Sequence, residues 1–170
     1  MSDIAKAAGI SRQALYLHFA SRTELLIATT NYIDRVKNVD ARLAESRAIK
    51  TGLARLDAYV TAWCNYIPEI HSVSVALRAM RASDVEAAAA WEDRMKAVRH
   101  GCAAVVEALA ADGKLKRDLS KESATDLLWV LLSVENWERL VGECGWDQET
   151  YIWSMKTLGA SAITANYPDE

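Results

Sequence analysis

Two prolines, seven glycines and one phenylalanine in 170 residues are few. Chain breakers this scarce suit helices, and no stretch shows the apolar–polar alternation of a half-buried strand. No run of about eighteen apolar residues occurs, which excludes a membrane-spanning helix, and the N-terminus lacks the apolar core of a secretory signal. The three cysteines, Cys64, Cys102 and Cys144, are odd in number and widely spaced. They form neither a disulfide framework nor a C-x-x-C pair, so a reducing cytoplasm is the expected setting. His18, His71 and His100 stand far apart without an H-E-x-x-H, and Glu69-Ile70-His71 lacks the i, i+3 spacing of di-iron bundles. Walker, G-x-G-x-x-G and G-x-S-x-G motifs are missing too. An enzyme has no residues to carry it here, and no metal or cofactor is implied.

What is present favours an all-α protein. Half of the chain is apolar, and Ala, Leu, Glu, Lys and Arg dominate. The length suits one domain or two small ones with a real core. Net charge is −3, unevenly spread: residues 1–50 carry eight Lys/Arg against five Asp/Glu, and residues 51–170 carry twelve against eighteen. That asymmetry suggests a small basic head on a larger acidic body.

The first nineteen residues read as a helix-turn-helix. Ile4 to Ala8 can form a short helix, with Ala5 small enough to let a second helix cross closely. Gly9 sits where the chain must leave with positive φ, which a Cβ opposes. Ile10 is expected to plug the corner, and Ser11 to cap a helix starting at Arg12. Leu15 and Phe19, four apart, then face inward and leave Arg12, Gln13, Tyr16, Leu17 and His18 outward. By this pattern alone an ordinary helical hairpin stays open.

The string from Asp3 to Leu26, D-I-A-K-A-A-G-I-S-R-Q-A-L-Y-L-H-F-A-S-R-T-E-L-L, closely resembles the tetracycline-repressor (TetR) family of bacterial regulators. Leu15-Tyr16-x-His18-Phe19, followed by a short turn, a basic residue and Glu24-Leu25-Leu26, is the discriminating part. Regulators of the lac-repressor type share only the D-I-A-x-x-A-G-I-S half. The resemblance implies a helix-turn-helix head over 1–45 and a helical-bundle body over 46–170 that binds an effector and dimerises. It also implies a cytoplasmic bacterial regulator, most often a repressor, whose homodimer binds palindromic operator DNA. Helix 12–19 would lie in the major groove, capped by Ser11. Arg12 and Gln13 would read guanine and adenine, and Ala14 would touch a thymine methyl. Tyr16, His18 and Arg22 would hold phosphates, Arg22 replacing the family's usual lysine, with Leu17 an apolar contact. Family members place another helix before D-I-A, where this chain has only Met1 and Ser2. The expectation is a head lacking its first helix, with Ile4, Ala8, Leu15 and Phe19 uncovered and a weakened grip on DNA.

Helical periodicity continues through the body. Ser21 to Glu24 reads as a capping box opening one long helix over 22–45. A second helix carries Leu53 to Ile67 and is ended or kinked by Pro68, a shorter one follows over 69–82, and another fills 85–111. Ser120 should cap a helix over 121–141, apolar on every side and so buried all round. Gly142, Gly145 and Asp147 turn the chain into a last helix, 148–165.

Two features of that body bear on function. Trp137, Leu140 and Val141, with Met155, Leu158, Gly159 and Ala162, are the candidates for a four-helix dimer interface; intrachain core is the alternative. Tyr59, Trp63, Tyr66, Met80, Trp91, Met95 and Trp129 are the candidates for walls of a small-molecule cavity, against plain core packing. No Arg or Lys stands out as partner for an anionic compound, and an apolar or aromatic effector is expected. Three functions are therefore in play: a ligand-responsive regulator, a constitutive helix-turn-helix dimer without a cavity, and a small all-α enzyme.

Overall fold

Six helices begin where the sequence offers a side-chain oxygen to the first free backbone N–H groups. Ser11 accepts from Ala14 at 3.0 Å, Ser21 from Glu24 at 3.0 Å, and Asp84 from Glu86 and Ala87 at 3.0 Å each. Ser120 does the same for Ser123, Ser133 for Asn136 and Asp147 for Thr150. The computed structural model describes residues 1–165. The elements are α1 (Ser2–Ala7), α2 (Arg12–His18), α3 (Arg22–Val36), α4 (Val39–Ala48), α5 (Gly52–Met80), α6 (Val85–Ala111), α7 (Lys121–Leu131), α8 (Val134–Trp137), a π-helical turn over Glu138–Glu143, and α9 (Gln148–Ile163). Among these residues the β pairing is one isolated bridge, Leu115 with Thr164, which seats the polar 112–119 connector on the end of α9.

The all-α class and the sequence of helices agree with expectation, but three boundaries differ. The helix expected over 22–45 is two. Asn38 adopts a left-handed conformation (φ 53°), which an asparagine tolerates better than most residues. The break leaves Tyr32 and Val36 exposed on α3 and lets Val39 and Leu43 of α4 turn onto the core.

Pro68 neither ends nor separates a helix: α5 runs through it for 29 residues. A proline has no N–H for the carbonyl four residues back. That carbonyl, of Cys64, accepts instead from Gln148 Nε2 at 2.8 Å, while Gln148 Oε1 accepts from Trp137 Nε1 at 2.9 Å. A side chain from α9 thus supplies the donor that the proline lacks.

The helix expected over 121–141 stops at Leu131, and Ser133 caps α8 beyond it. It is not buried all round, since Leu127 is 48% and Val130 60% exposed. Its inner face, Ala124, Thr125 and Leu128, is buried against α6 and α9.

The main core lies between α5, α6, α7 and α9, with Val60, Ile67, Leu109, Leu128, Leu132, Tyr151 and Ile163 essentially without solvent contact. Helices α5 and α6 cross closely because Gly52 has no Cβ: one there would stand 2.6 Å from the Leu109 backbone. A smaller cluster, Leu77, Ala87 and Trp91, joins the far end of α5 to the start of α6, and Leu26 of α3 packs on it.

Candidate DNA-reading head and ligand cavity

In the head, α1 and α2 meet across a turn that Gly9 makes with φ +68°; a Cβ there would touch nothing, so the backbone conformation alone calls for glycine. Ala5 and Leu15 form the buried contact between the two helices. Ile10 does not plug the corner as expected: its N–H donates to the Ala5 carbonyl at 3.0 Å, while its side chain is 43% exposed. Arg12, Gln13, Tyr16, Leu17 and His18 share the outward surface, Leu17 being 82% exposed, and Ala14 is half-buried. The Arg12 guanidinium lies over the Tyr16 ring, 5.4 Å from its centroid. Ser11 is committed as the cap of α2, and Arg22, at the start of α3, is exposed. Arg12, Gln13, Tyr16, His18 and Arg22 thus present guanidinium, amide, phenol and imidazole groups to solvent along α2 and the start of α3.

Helix α3 carries this head onto the body. Ser21 caps it, and Glu24 Oε2 reaches back to the Ala20 N–H at 2.6 Å, one residue before the position of a standard capping box. The buried Thr23 hydroxyl donates to the Asp84 carboxylate, and Ser21 Oγ donates to Glu86 at 3.4 Å. The start of α3 is therefore fastened to the start of α6. The Thr23 hydroxyl, aided by the Ala87 and Glu86 N–H groups, holds the Asp84 pKa below the ordinary aspartate value.

Behind α3 lies a cavity of about 890 Å3, walled by α3, α4, α5 and α6. Five of the seven residues expected to wall a cavity do so: Tyr59, Trp63, Tyr66, Trp91 and Met95. Met80 does not, because it packs beside Leu77, Ala87 and Trp91 in the smaller cluster. Trp129 does not either, because α7 lies on the other side of α6 and presents it to the main core.

The polar tips of the wall are already partnered. Tyr59 donates to the Val98 carbonyl at 3.1 Å, and Trp63 Nε1 to the Leu132 carbonyl at 2.8 Å. The Tyr66 hydroxyl donates to Asp34 Oδ1. Burial pushes the Tyr59 hydroxyl well above its usual pKa, and burial together with Glu69 pushes Tyr66 up to about 12. Both stay neutral, so the rings offer apolar and aromatic surface to whatever enters.

The sequence reading missed the polar group in this wall. Asp34 Oδ2 accepts from Arg94 Nη1, and Asn31 Oδ1 accepts from Arg94 Nη2; all three residues line the cavity. A signal existed: Arg94 stands among Trp91, Met95 and Val98 at i, i+3, i+4 and i+7 spacing, so a guanidinium interrupts an inward apolar stripe.

The expected dimer residues divide. Met155 (1% exposed) and Gly159 are buried within the chain; Leu128 and Leu131 approach where a Cβ on Gly159 would stand, at 3.4 and 3.5 Å. Trp137 packs against His71 with ring centroids 4.9 Å apart and planes tilted by 55°, and Leu140 and Val141 are half-buried against the main core. Leu158 and Ala162 remain exposed, alongside Leu127 and Val130 of the neighbouring α7. Among the described residues no three His, Cys, Asp or Glu side chains converge on a metal site, and no helix is long and apolar enough to cross a membrane.

Residues 1–29 match the family described as bacterial regulatory proteins, tetR family. No curated protein matches the chain. Solved structures share the fold over nearly its whole length. A TetR-family transcriptional regulator from Agrobacterium tumefaciens superposes with a TM-score of 0.72 at 18% identity, covering 96% of this chain and 86% of that one. A protein described as a transcriptional regulator from Saccharomonospora viridis, in complex with choline, gives 0.79 at 18% identity over the same shares. The regulator FadR from Bacillus subtilis, in complex with stearoyl-CoA, gives 0.74 at 18% identity over 95% and 87%. The fold is that of the TetR-type regulators, with a helix-turn-helix head on a helical body.

Proposed function

We propose, from the premise that this chain belongs through its head segment to the tetR family of bacterial regulatory proteins, that it is a ligand-responsive transcriptional regulator. Its reading head spans 1–45 and its effector-binding body 46–170. It represses from a palindromic operator in the bacterial cytoplasm, and a small, largely apolar or aromatic effector releases it. One observation carries this reading: α3, the helix that leaves the DNA-reading head, is also a wall of the 890 Å3 cavity, through Thr30, Asn31, Ile33 and Asp34. A ligand there touches the element that positions α2. It shifts the head only by the difference in its affinity for the two arrangements.

Ser11, Arg12, Gln13, Ala14, Tyr16, Leu17, His18 and Arg22 form the DNA-facing set. Two heads reading a two-fold site require two chains. The exposed apolar strip of Leu127, Val130, Leu158 and Ala162 on α7 and α9 supports a homodimer there. A constitutive dimer would be expected to fill its body with side chains, which the cavity disfavours.

The test pairs selection of bound sequences from a random DNA pool with a thermal-shift screen of small aromatic and aliphatic compounds. Enrichment of a palindromic site, and release of that site by compounds that raise the melting temperature, is the expected result. Hits that stabilise the protein but leave its DNA affinity unchanged would refute ligand-responsive regulation, and failure to enrich any site would refute DNA reading.

A further inference from the structure

One ion pair in the cavity wall joins the helix that leaves the head to the helix opposite. Asp34 of α3 binds Arg94 of α6 through Oδ2 and the Tyr66 hydroxyl through Oδ1, while Asn31, one turn earlier on α3, takes the other guanidinium nitrogen. We propose that this pair is a latch opened by the effector itself. The effector is an anionic amphiphile whose carboxylate, on an apolar or aromatic body, exchanges with Asp34 on Arg94 and frees the Asp34 end of α3 from α6. The inference rests on the cavity being the effector site and adds the charge of the ligand and the contact that it replaces.

Three observations favour an anion. First, the wall holds four arginines, Arg35, Arg47, Arg55 and Arg94, against three aspartates, Asp34, Asp40 and Asp93. Arg47 pairs with Asp40, whereas the half-buried Arg55 has no carboxylate partner among the described residues. The wall therefore carries surplus guanidinium charge even with its own pairs made. Second, exchange of one carboxylate for another never leaves the half-buried Arg94 uncompensated, whereas a cationic ligand taking Asp34 would strand it. Third, Asp34 released from Arg94 keeps the Tyr66 hydroxyl and, at 22% side-chain exposure, is open to water.

The Tyr66 ring stands next to this pair and the Trp63 ring lies beyond it, 6.1 Å away between centroids, with both polar tips already bonded to protein. They can take the body of a ligand whose charged end sits on Arg94. A carboxylate is the better match for the planar guanidinium fork, which binds two oxygens at once.

The test measures dissociation constants of the full chain for decanoate, decanol and decyltrimethylammonium by tryptophan fluorescence and calorimetry. Decanoate should bind at least about tenfold more tightly than decanol, as expected for one added charged contact. Arg94→Met should abolish that preference, so that acid and alcohol bind alike. Asp34→Asn, which removes the internal competitor, should tighten decanoate binding by a similar factor; it keeps the proposal testable if Arg94→Met fails to fold. Equal wild-type affinities for decanoate and decanol, tightest binding of decyltrimethylammonium, or a preference that survives Arg94→Met would overturn the latch and leave the cavity an effector site. If none of the three binds, the cavity reading and the latch fall together.

Discussion

Gln148, at the start of α9, donates to the Cys64 carbonyl of α5 at 2.8 Å, the carbonyl that Pro68 leaves without a helical donor. This contact explains how a 29-residue helix, which supplies Tyr59, Trp63 and Tyr66 to one wall of the cavity, passes through a proline unbroken.

Removing the donor should therefore cost stability in a proline-dependent way. Gln148→Ala leaves a buried carbonyl and the Trp137 indole N–H without partners, a loss of about 1–3 kcal/mol. In a Pro68→Ala background the restored N–H can satisfy Cys64, and the same substitution should cost measurably less. Urea unfolding of the four proteins in a double-mutant cycle reads the difference. A coupling of zero would mean that Gln148 does not compensate for Pro68.

The joint between head and body should be acid-sensitive through Asp84. Its folded pKa lies below the ordinary value, chiefly because Thr23 donates to it. Such a group contributes stability that is present above the unfolded pKa, about 4, and is lost as pH falls through the folded pKa. Thr23→Val removes the main cause of the depression. Wild type should be the more stable protein near pH 6, and the gap should narrow steadily below about pH 4. Denaturant midpoints across that range test it, and a gap independent of pH would place the effect elsewhere.

Much of this was legible in the sequence, for reasons that can be named. The caps at Ser11, Ser21 and Ser120 are local chemistry, fixed by one oxygen and an N–H three residues on. The aromatic wall was legible as composition, because large rings such as Tyr59, Trp63 and Tyr66 are concentrated in the body. What failed was long-range. Nothing near Pro68 announces that Gln148, eighty-four residues after Cys64, will supply a donor. The break at Asn38 depends on α4 finding α5. Arg94 was visible inside an apolar stripe, but its partner Asp34 lies sixty residues away on another helix.

The division of labour within α2 and α3 should show in DNA binding. Arg12→Ala should lose about 1–3 kcal/mol of discrimination between operator variants at one base position. Arg22→Ala should weaken binding to all variants alike and flatten the salt dependence. Competition binding over a panel of single-base variants at two salt concentrations separates them. Equal loss of specificity from both substitutions would contradict the assignment.

The exposed strip on α7 and α9 predicts an association that charge should break. Val130→Glu and Leu158→Glu place carboxylates on residues 60% and 51% exposed in the single chain, so folding should survive. Sedimentation equilibrium should show a dimer for the wild type and a dissociation constant raised at least about a hundredfold in the double variant, a conservative figure for burying two unpaired charges. An unchanged mass distribution would locate the contact between chains on another face.

The central claim is that a ligand in the α3–α6 cavity changes the grip of the head on DNA. The most direct measurement is the dissociation constant for a selected operator, with and without a saturating cavity ligand, in the wild type and in Val98→Trp. Val98 lines the cavity, and an indole there would occupy its space. The account predicts at least a tenfold loss of DNA affinity on ligand addition in the wild type, or about 1.4 kcal/mol of coupling, and none in Val98→Trp. Ligand binding to the wild type with the operator constant unmoved would contradict it.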